Sequence, residues 1–361
     1  MLSLWALDPT GVPRGLLEPL TAKAVTRYNN LTTFLFELGL DDDLVRRLSP
    51  GWSVMATDGP LHFSGAIREF VTQVDGSGGT LTISGRCELH RLADRVVYPD
   101  PTKEPGAQGR ARYDLRGPAE TIIKTLVNLN AGPAALSARR SPALVVAESR
   151  GLGGNTSCSE RFSSLLEACQ KVANPAGLRF IATRNDERQI VFDVEPTRDL
   201  TRQVRLVASG DVKNAAPTGN VVIVGGQGEG ADRKLKEYTS APGTWGHRIE
   251  TFKDRRDTND DTDLDKAGAE ALAEAGPRNS ASFTLEEDDG TTFGIDFDLG
   301  DTITLEVGPV EYTEQVTSAE ITWTGTGRTV KLGVGPDAEN IPAWSPRVND
   351  LAGRLQRLEA Q

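Results

Sequence analysis

A cluster of glycines follows a short apolar run in the stretch NVVIVGGQGEGADR, residues 220–233. A strand that runs into glycines is how a nucleotide-binding turn begins, because glycine lets the backbone approach a phosphate closely. The spacing from Gly226 to Gly230 is G-x-G-x-G, whereas the dinucleotide motif requires G-x-G-x-x-G at the start of a helix. The polar residues that follow carry no helical apolar stripe, and no G-K-[ST] closes the stretch. We therefore predict that these glycines serve the backbone and bind no nucleotide.

Asp and Asn side chains alternate in the stretch RRDTNDDTDLDK, residues 255–266, as they do in a calcium-binding loop. The alternating positions are Asp257, Asn259, Asp261 and Asp263. The sixth position is Thr262 where such a loop needs glycine, and the twelfth is Gly268 where it needs glutamate. A solvated loop that caps the next helix is the favoured interpretation, and no metal site is predicted.

The chain offers little for catalysis. Its three histidines, His62, His90 and His247, lie outside any HExxH motif, and the sequence contains no GxSxG. Carboxylates are plentiful, but no spacing marks a pair of them as hydrolytic. We predict no catalytic residue, no cofactor and no enzymatic activity.

Composition describes a soluble protein of 361 residues with a formal net charge of −11. This acidic balance argues against wrapping nucleic acid, although it suits a surface that lets DNA pass without binding. Cys87, Cys158 and Cys169 form no CxxC pair, which predicts reduced and buried thiols. The N-terminus has no basic n-region and no long apolar h-region, so neither a signal peptide nor a membrane span is predicted.

Short alternating segments dominate residues 51–86, where turn residues at 58–60 and 76–79 separate them. This pattern is typical of an antiparallel barrel or sandwich. The sequence pattern then changes to one typical of an α+β domain, with a helix predicted in 117–132, a second helix in 159–177 and a hairpin in 178–196. The second helix is predicted with Ser159 as its cap and an apolar stripe of Phe162, Leu165, Leu166 and Cys169.

An internal repeat is the most informative feature. A shift of 249 residues, which carries Gly51 onto Gly300, aligns 51–84 with 300–333 without a gap. Turn residues coincide, as at Gly59 and Gly308, and so do apolar positions such as Ile67 and Val316. Shared turns and shared apolar faces at a fixed period predict two copies of one β unit.

We predict a mainly β protein in which two related antiparallel β-barrels flank an α+β domain. The predicted segments are 1–115 for the first barrel, 116–205 for the α+β domain, 206–345 for the second barrel with one helix, and 346–361 for a short C-terminal helix. The glycine stretch would lead from the α+β domain into the second barrel. Apolar residues in the last segment have the 3-4-3 spacing of a coiled-coil seam between chains, namely Val348, Leu351, Leu355 and Leu358. A short helix lying on its own domain is the alternative.

The chain resembles the tail-hub proteins of bacteriophages, in particular the hub-like proteins of siphophages that infect actinobacteria. LHFSGAIREF and GTLTISGRCELHRLADRVVYPD resemble the first barrel of those hubs, and LGDTITLEVGPVEYTEQVTSAEITW resembles the strand pair of the second. NVVIVGGQGEGADR resembles a phrase that recurs in such proteins. The resemblance covers nearly the whole chain.

That resemblance implies a trimeric ring whose two barrels per chain match a six-fold tail tube. The expected role is structural: a tail-tip or baseplate hub in the virion, assembled in the bacterial cytoplasm, which anchors tail-tip, fibre or spike proteins and lines the DNA passage. Its expected partners are two further copies of itself and the ring of distal tail or tube proteins. The alternatives are a cell-wall hydrolase and a carbohydrate-binding tail component with Trp52, Trp245, Trp323 and Trp344 as stacking residues.

Overall fold

A computed structural model describes residues 2–59, 61–75, 78–207, 210–240, 246–276, 278–285, 291–308, 310–325 and 327–335. The chain forms two compact units: the first comprises Met1–Ser209 and Phe283–Val334, and the second includes Gly210–Ser282. The protein is mainly β, as predicted, with a large sheet that curls into a half-barrel and smaller α+β sheets.

Four groups of elements follow one another along the chain. The first contains β1 (Ser3–Leu7), β2 (Pro13–Leu17), β3 (Pro19–Arg27), β4 (Thr33–Gly39), α1 (Asp43–Arg47), β5 (Ser53–Asp58), β6 (Leu61–Asp75), β7 (Gly78–Cys87) and α2 (His90–Ala93). The second contains β8 (Tyr113–Pro118), α3 (Ala119–Asn130), β9 (Leu144–Val146), β10 (Asn155–Glu160), α4 (Leu165–Ala173), β11 (Leu178–Arg184), β12 (Ile190–Pro196) and β13 (Arg205–Val207). The third contains β14 (Gly210–Ala215), β15 (Val221–Gly225), β16 (Leu235–Thr239), β17 (Glu250–Asp254), α5 (Asp261–Ala275) and β18 (Arg278–Leu285). The fourth contains β19 (Thr302–Val307), β20 (Val310–Thr324) and β21 (Gly327–Val334).

The large sheet of the first unit joins strands from both ends of the chain. Its order is β21-β20-β3-β4-β7-β6-β5-β1-β2, and β19 pairs with β20 and with β13. The antiparallel contact between β20 and β3 runs from Ser318 opposite Arg27 to Trp323 opposite Ala22. Residues separated by about three hundred positions therefore share one hydrogen-bonded ladder.

The repeat seen in the sequence reappears in the strand pairing. At the 249-residue shift, β5 and β6 fall on β19 and β20 residue for residue. The bulge after Ile67 in the β6–β7 pair recurs after Val316 in the β20–β21 pair. Hairpin glycines match as well, since Gly59 has φ +57° and Gly308 has φ +59°, a conformation in which other residues are strained. The two segments are thus copies of one pattern of strands and turns.

The α+β part packs its two helices together on a common core. In α3 the residues predicted for one face, Ile122, Ile123, Leu126 and Val127, are all at most 2% exposed. The predicted hairpin is confirmed by β11 and β12, which pair in antiparallel register.

The start of the second predicted helix is corrected by the structure. Ser159 lies in β10, and Ser164 occupies the N-cap position of α4. Phe162 precedes the helix and is 44% exposed, whereas Leu165, Leu166 and Cys169 are buried as predicted. Phe162 has φ +50°, so the chain turns there before the helix begins.

The second unit has its own small core. Its sheet has the order β16-β15-β17, with β15 antiparallel to β16 and parallel to β17, and α5 packs on it. Val222, Val224 and Leu264 form the centre of this core at 0% exposure. The glycine stretch was expected to enter a second barrel, but its strand β15 is instead the middle strand of this α+β unit.

Several predictions concern residues beyond those described. The C-terminal helix 346–361 and its seam, Val348, Leu351, Leu355 and Leu358, lie outside the described residues. The predicted segment boundaries stay a prediction.

Candidate functional site

The glycine turn after β15 is closed by groups of its own unit. The guanidinium of Arg233 donates to the carbonyl oxygens of Gly225 and Gly226 at 3.0 Å each, and it pairs with Asp254. The amides of Gly226 and Gln227 donate to backbone carbonyls at 2.8 and 3.1 Å. These hydrogen bonds occupy the two amides and hold the backbone of the turn in place, whereas a bound phosphate needs free amides.

Close packing explains why glycines occupy this turn. A Cβ atom at Gly228 would lie 2.7 Å from a backbone oxygen of Asp232, and one at Gly225 would lie 2.7 Å from the ring of Phe252. Gly228 also has φ +110°, which other residues rarely adopt. The next α-helix of the chain, α5, begins only at Asp261 and not at the turn.

The acidic loop before α5 caps that helix, which confirms the favoured interpretation. Asp260 is the N-cap residue, and its side chain accepts a hydrogen bond from the amide of Thr262 at 2.7 Å. Asp261 pairs with Lys234 and Lys236 at 2.8 Å each, and their hydrogen bonds lower its pKa to about 2. Since Lys236 lies in β16, this pairing connects the start of α5 to the sheet.

The three histidines occupy unrelated places. His62 is exposed on β6, where its Nδ1 lies 3.1 Å from the hydroxyl of Thr57, and His247 is exposed in the second unit. His90 is buried at the start of α2, and its Nδ1 lies 3.0 Å from the carbonyl oxygen of Cys87. Burial lowers the pKa of His90 below its usual 6.5, which disfavours the imidazolium.

Acid should therefore destabilise the protein in two steps. As pH falls below about 6.5, the unfolded state binds a proton at His90 before the folded state does, so the free energy of unfolding drops. The carboxyl pKa values of Glu88 and Glu120 are lowered from 4.5, so their contribution is present above that pH and is lost as pH falls through the lowered values. Urea unfolding across a pH series measures both steps.

A matched pair of variants isolates the first step. His90→Asn should abolish the loss of stability that begins near pH 6.5, whereas His62→Asn at the exposed position should retain it. An unchanged first step in His90→Asn would show that another group causes it.

The tryptophans considered as sugar-stacking residues do not form a platform in the described part of the chain. Trp323 is 8% exposed, and its indole Nε1 donates to Asp58 at 2.7 Å in the interior. Trp52 is half-buried. Trp245 and Trp344 lie outside the described residues.

One cleft of about 170 Å³ lies between the large sheet and β11. The hydroxyl of Tyr28 and the amide of Asn29 on its wall both donate to the carbonyl oxygen of Leu178 at 2.8 Å. Arg179 pairs with Asp298 at 2.7 Å. The polar atoms of these side chains are thus hydrogen-bonded within the protein, as expected where the large sheet packs against the β11–β12 hairpin.

Two buried ionic clusters, which the sequence did not predict, reinforce the first unit. In one, Glu88 at 1% exposure accepts from Arg184 at 2.9 Å and from Arg91 at 3.0 Å. In the other, Glu120 at 0% exposure accepts from Lys124 at 2.7 Å. Short spacings could have indicated two of these pairs from sequence, since Glu88 and Arg91 are three positions apart and Glu120 and Lys124 are four apart.

Within the described ranges, no three His, Cys, Asp or Glu side chains gather as a bound metal ion would require. No helix within those ranges is long and apolar enough to cross a lipid bilayer. The three cysteines are buried, as expected.

Comparison with known proteins identifies relatives of this chain. A family model described as Siphovirus ReqiPepy6 Gp37-like protein matches residues 19–336. No match was found among curated proteins.

Solved structures of prophage and bacterial tail proteins share the fold. A tail protein from Neisseria meningitidis MC58 aligns with a TM-score of 0.57 and 15% identity, over 93% of this chain and 97% of the other. The 43 kDa tail protein of prophage MuSo2 from Shewanella oneidensis aligns with a TM-score of 0.60 and 11% identity, over 92% and 97%. Prophage tail protein gp18 from Listeria monocytogenes EGD-e aligns with a TM-score of 0.58 and 11% identity, over 98% and 99%.

Proposed function

Because this chain belongs to the Siphovirus ReqiPepy6 Gp37-like family, we propose that it is the structural hub of a phage tail tip. The fold that it shares with prophage tail proteins supports this role. In the virion the hub would be a trimeric ring that adapts to a six-fold tail tube, anchors the other tail-tip proteins and lines the DNA passage.

The observation that carries the proposal is the repeat of strands, bulge and hairpin turns between the two ends of the chain. A six-fold tube presents six equivalent surfaces. Three chains that each carry two equivalent β units would present six such units, so every surface of the tube would find a partner. A chain with one unit would leave half of those surfaces unmatched.

Charge supports the proposed DNA passage. The net charge of −11 gives the protein a surface that repels phosphate, and a channel lined by acidic residues would let DNA slide without binding. A ring whose bore is basic would contradict this part of the proposal.

The alternatives find less support. A carbohydrate-binding module needs exposed aromatic rings, but Trp323 is buried and hydrogen-bonded to Asp58. A hydrolase needs an acid and a base beside a substrate cleft, whereas His90 is buried against the carbonyl oxygen of Cys87.

Solution mass tests the proposed assembly directly. Native mass spectrometry of the purified chain is expected to give three times the mass of 38.8 kDa, and negative-stain images should show rings. A protein that stays monomeric at all concentrations, or a ring with another number of chains, would contradict the proposed hub.

The C-terminal seam gives a prediction of its own. Replacing Leu351 and Leu355 by glutamate should weaken the trimer, because charges at seam positions cannot be buried between chains. The matched variant replaces Arg354 and Gln356, which lie off the seam, by glutamate and should leave the mass unchanged. Equal masses for the two variants would favour the alternative, a helix that lies on its own domain.

A further inference from the structure

The two copies of the long strand differ in how their edges are covered. In β20, the segment Ser318–Trp323 pairs on one side with β21 and on the other with β3. The equivalent segment of β6 is Glu69–Val74, which pairs with β7 on one side. Among the described strands, the neighbours of β6 are β7 and β5 alone, and β5 pairs only with the earlier part, Leu61–Ala66. The edge of Glu69–Val74 that corresponds to the β3-covered edge of β20 is therefore open.

Side-chain exposure follows this difference. On β20, Ala319 and Ile321 are 0% exposed and Trp323 is 8% exposed. On β6, the residue equivalent to Ile321 is the exposed Thr72, and the residue equivalent to Trp323 is Val74 at 75% exposure. The side chains of β20 are thus buried as in a central strand, whereas the equivalent side chains of β6 are exposed as at a sheet edge.

An open strand edge usually carries protection against unwanted pairing. Proteins protect such edges with lysines, prolines or bulges, because unpaired N–H and C=O groups recruit other strands. The segment Glu69–Val74 reads EFVTQV and holds one charge, no lysine and no proline. Its one bulge lies before it, between Ile67 and Glu69. The edge is suited to accept a strand.

The repeat identifies which strand fits this edge. The strand that covers β20 is β3, which pairs with β4. At the 249-residue shift, β4 overlaps β18, and β18 is hydrogen-bonded to β14. The counterpart of β3 is therefore β14. Among the described strands β14 pairs with β18 alone, so its other edge is also open there.

We propose that β14 of one copy of this chain pairs with the Glu69–Val74 edge of β6 in the next copy, antiparallel, as β3 pairs with β20 within one chain. This inference rests on the proposed trimer and names the surfaces that join its subunits. Each chain carries one edge of each kind, so the contact is head to tail and repeats around a closed ring. The junction within a chain and the junction between chains would then be equivalent.

Photo-crosslinking tests the pairing without knowledge of its register. Gln73 is equivalent to Thr322, which lies opposite Lys23 of β3, so a benzophenone amino acid at position 73 should stand beside a residue of the incoming strand, within reach of it. In the full-length chain, irradiation is expected to yield a crosslink between chains, with the partner peptide containing Gly210–Ala215. The same probe at Glu167, which is exposed on α4, is the control and should give no such product.

A second measurement uses substitutions on the same edge. Thr72→Lys combined with Val74→Lys should raise the dissociation constant of the trimer about tenfold or more, since charges on an edge strand oppose pairing. Glu167→Lys should leave that constant unchanged.

The outcomes separate the edge pairing from the hub proposal. A trimer whose crosslinks from position 73 reach only peptides other than Gly210–Ala215, including β6 itself, would overturn the pairing and leave the trimeric hub standing. A chain that never exceeds the monomer mass would overturn both.

Discussion

Replacement of Glu120 by alanine is expected to lower the free energy of unfolding by about 3–5 kcal/mol. Its carboxylate is 0% exposed and holds together three parts of the α+β layer. One oxygen accepts from Lys124 at 2.7 Å, and the other accepts from the amides of Arg150 and Leu152 at 2.9 and 2.7 Å. Alanine would leave both amides without their acceptor and would remove one of the two carboxylates that face Lys124.

The two remaining partners of Lys124 limit the loss of stability. Its ammonium group also donates to Asp193 and to the carbonyl oxygen of Glu148, at 2.7 Å each. Chemical denaturation of Glu120→Ala measures the loss, and Glu167→Ala on the exposed face of α4 is the matched control, expected within about 0.5 kcal/mol of the parent. If both variants unfolded at the same denaturant concentration, the buried cluster would have no net stabilising role.

Replacement of Glu88 by leucine is also expected to cost about 3–5 kcal/mol, because it leaves a buried arginine without its counter-charge. The side chain of Arg184 is 8% exposed between the large sheet and the hairpin, and its Nε has no hydrogen-bond partner among the described residues. A Cβ atom on Gly11 would lie 2.6 Å from its Nη1, so the β1–β2 turn also packs closely against it. Glu88 therefore supplies the charge that permits an arginine at this junction.

A double substitution tests this explanation. Combining Glu88→Leu with Arg184→Met removes both charges, so the double variant should be more stable than Glu88→Leu alone by about 1–4 kcal/mol. The matched control is Glu69→Leu at an exposed position of β6, which should change stability by less than about 1 kcal/mol. A double variant that is less stable than Glu88→Leu would show that Arg184 stabilises the junction without Glu88.

Much of the fold could be predicted from local patterns. The helix α3 and the β11–β12 hairpin followed from apolar spacing and turn residues, because each is stabilised by contacts a few residues apart. The start of α4 was wrong by several residues. Ser159 looked like a cap, but Phe162 turns the chain and delays the helix to Leu165.

The candidate functional surfaces could be predicted from the sequence less well than the fold. The glycine turn could be judged from its spacing, since a nucleotide motif has a fixed pattern. The sequence did not predict that β15, the strand before this turn, belongs to a separate α+β unit. Its parallel pairing with β17 leaves no pattern in the neighbouring sequence. Likewise, Glu88 and Arg184 lie far apart in sequence, and only folding brings them to 2.9 Å.

The sequence by itself was sufficient to predict the repeated strand pattern. Glycines at hairpin turns and apolar residues on one face are local requirements, so two copies of the same strand pattern had to show the same residue types, as Gly59 and Gly308 do. Only the tertiary structure decided which edges of those copies are joined. The backbone groups of a strand edge are nearly the same for every residue. No residue type therefore records that β20 is covered by β3 while the same edge of β6 is open among the described strands.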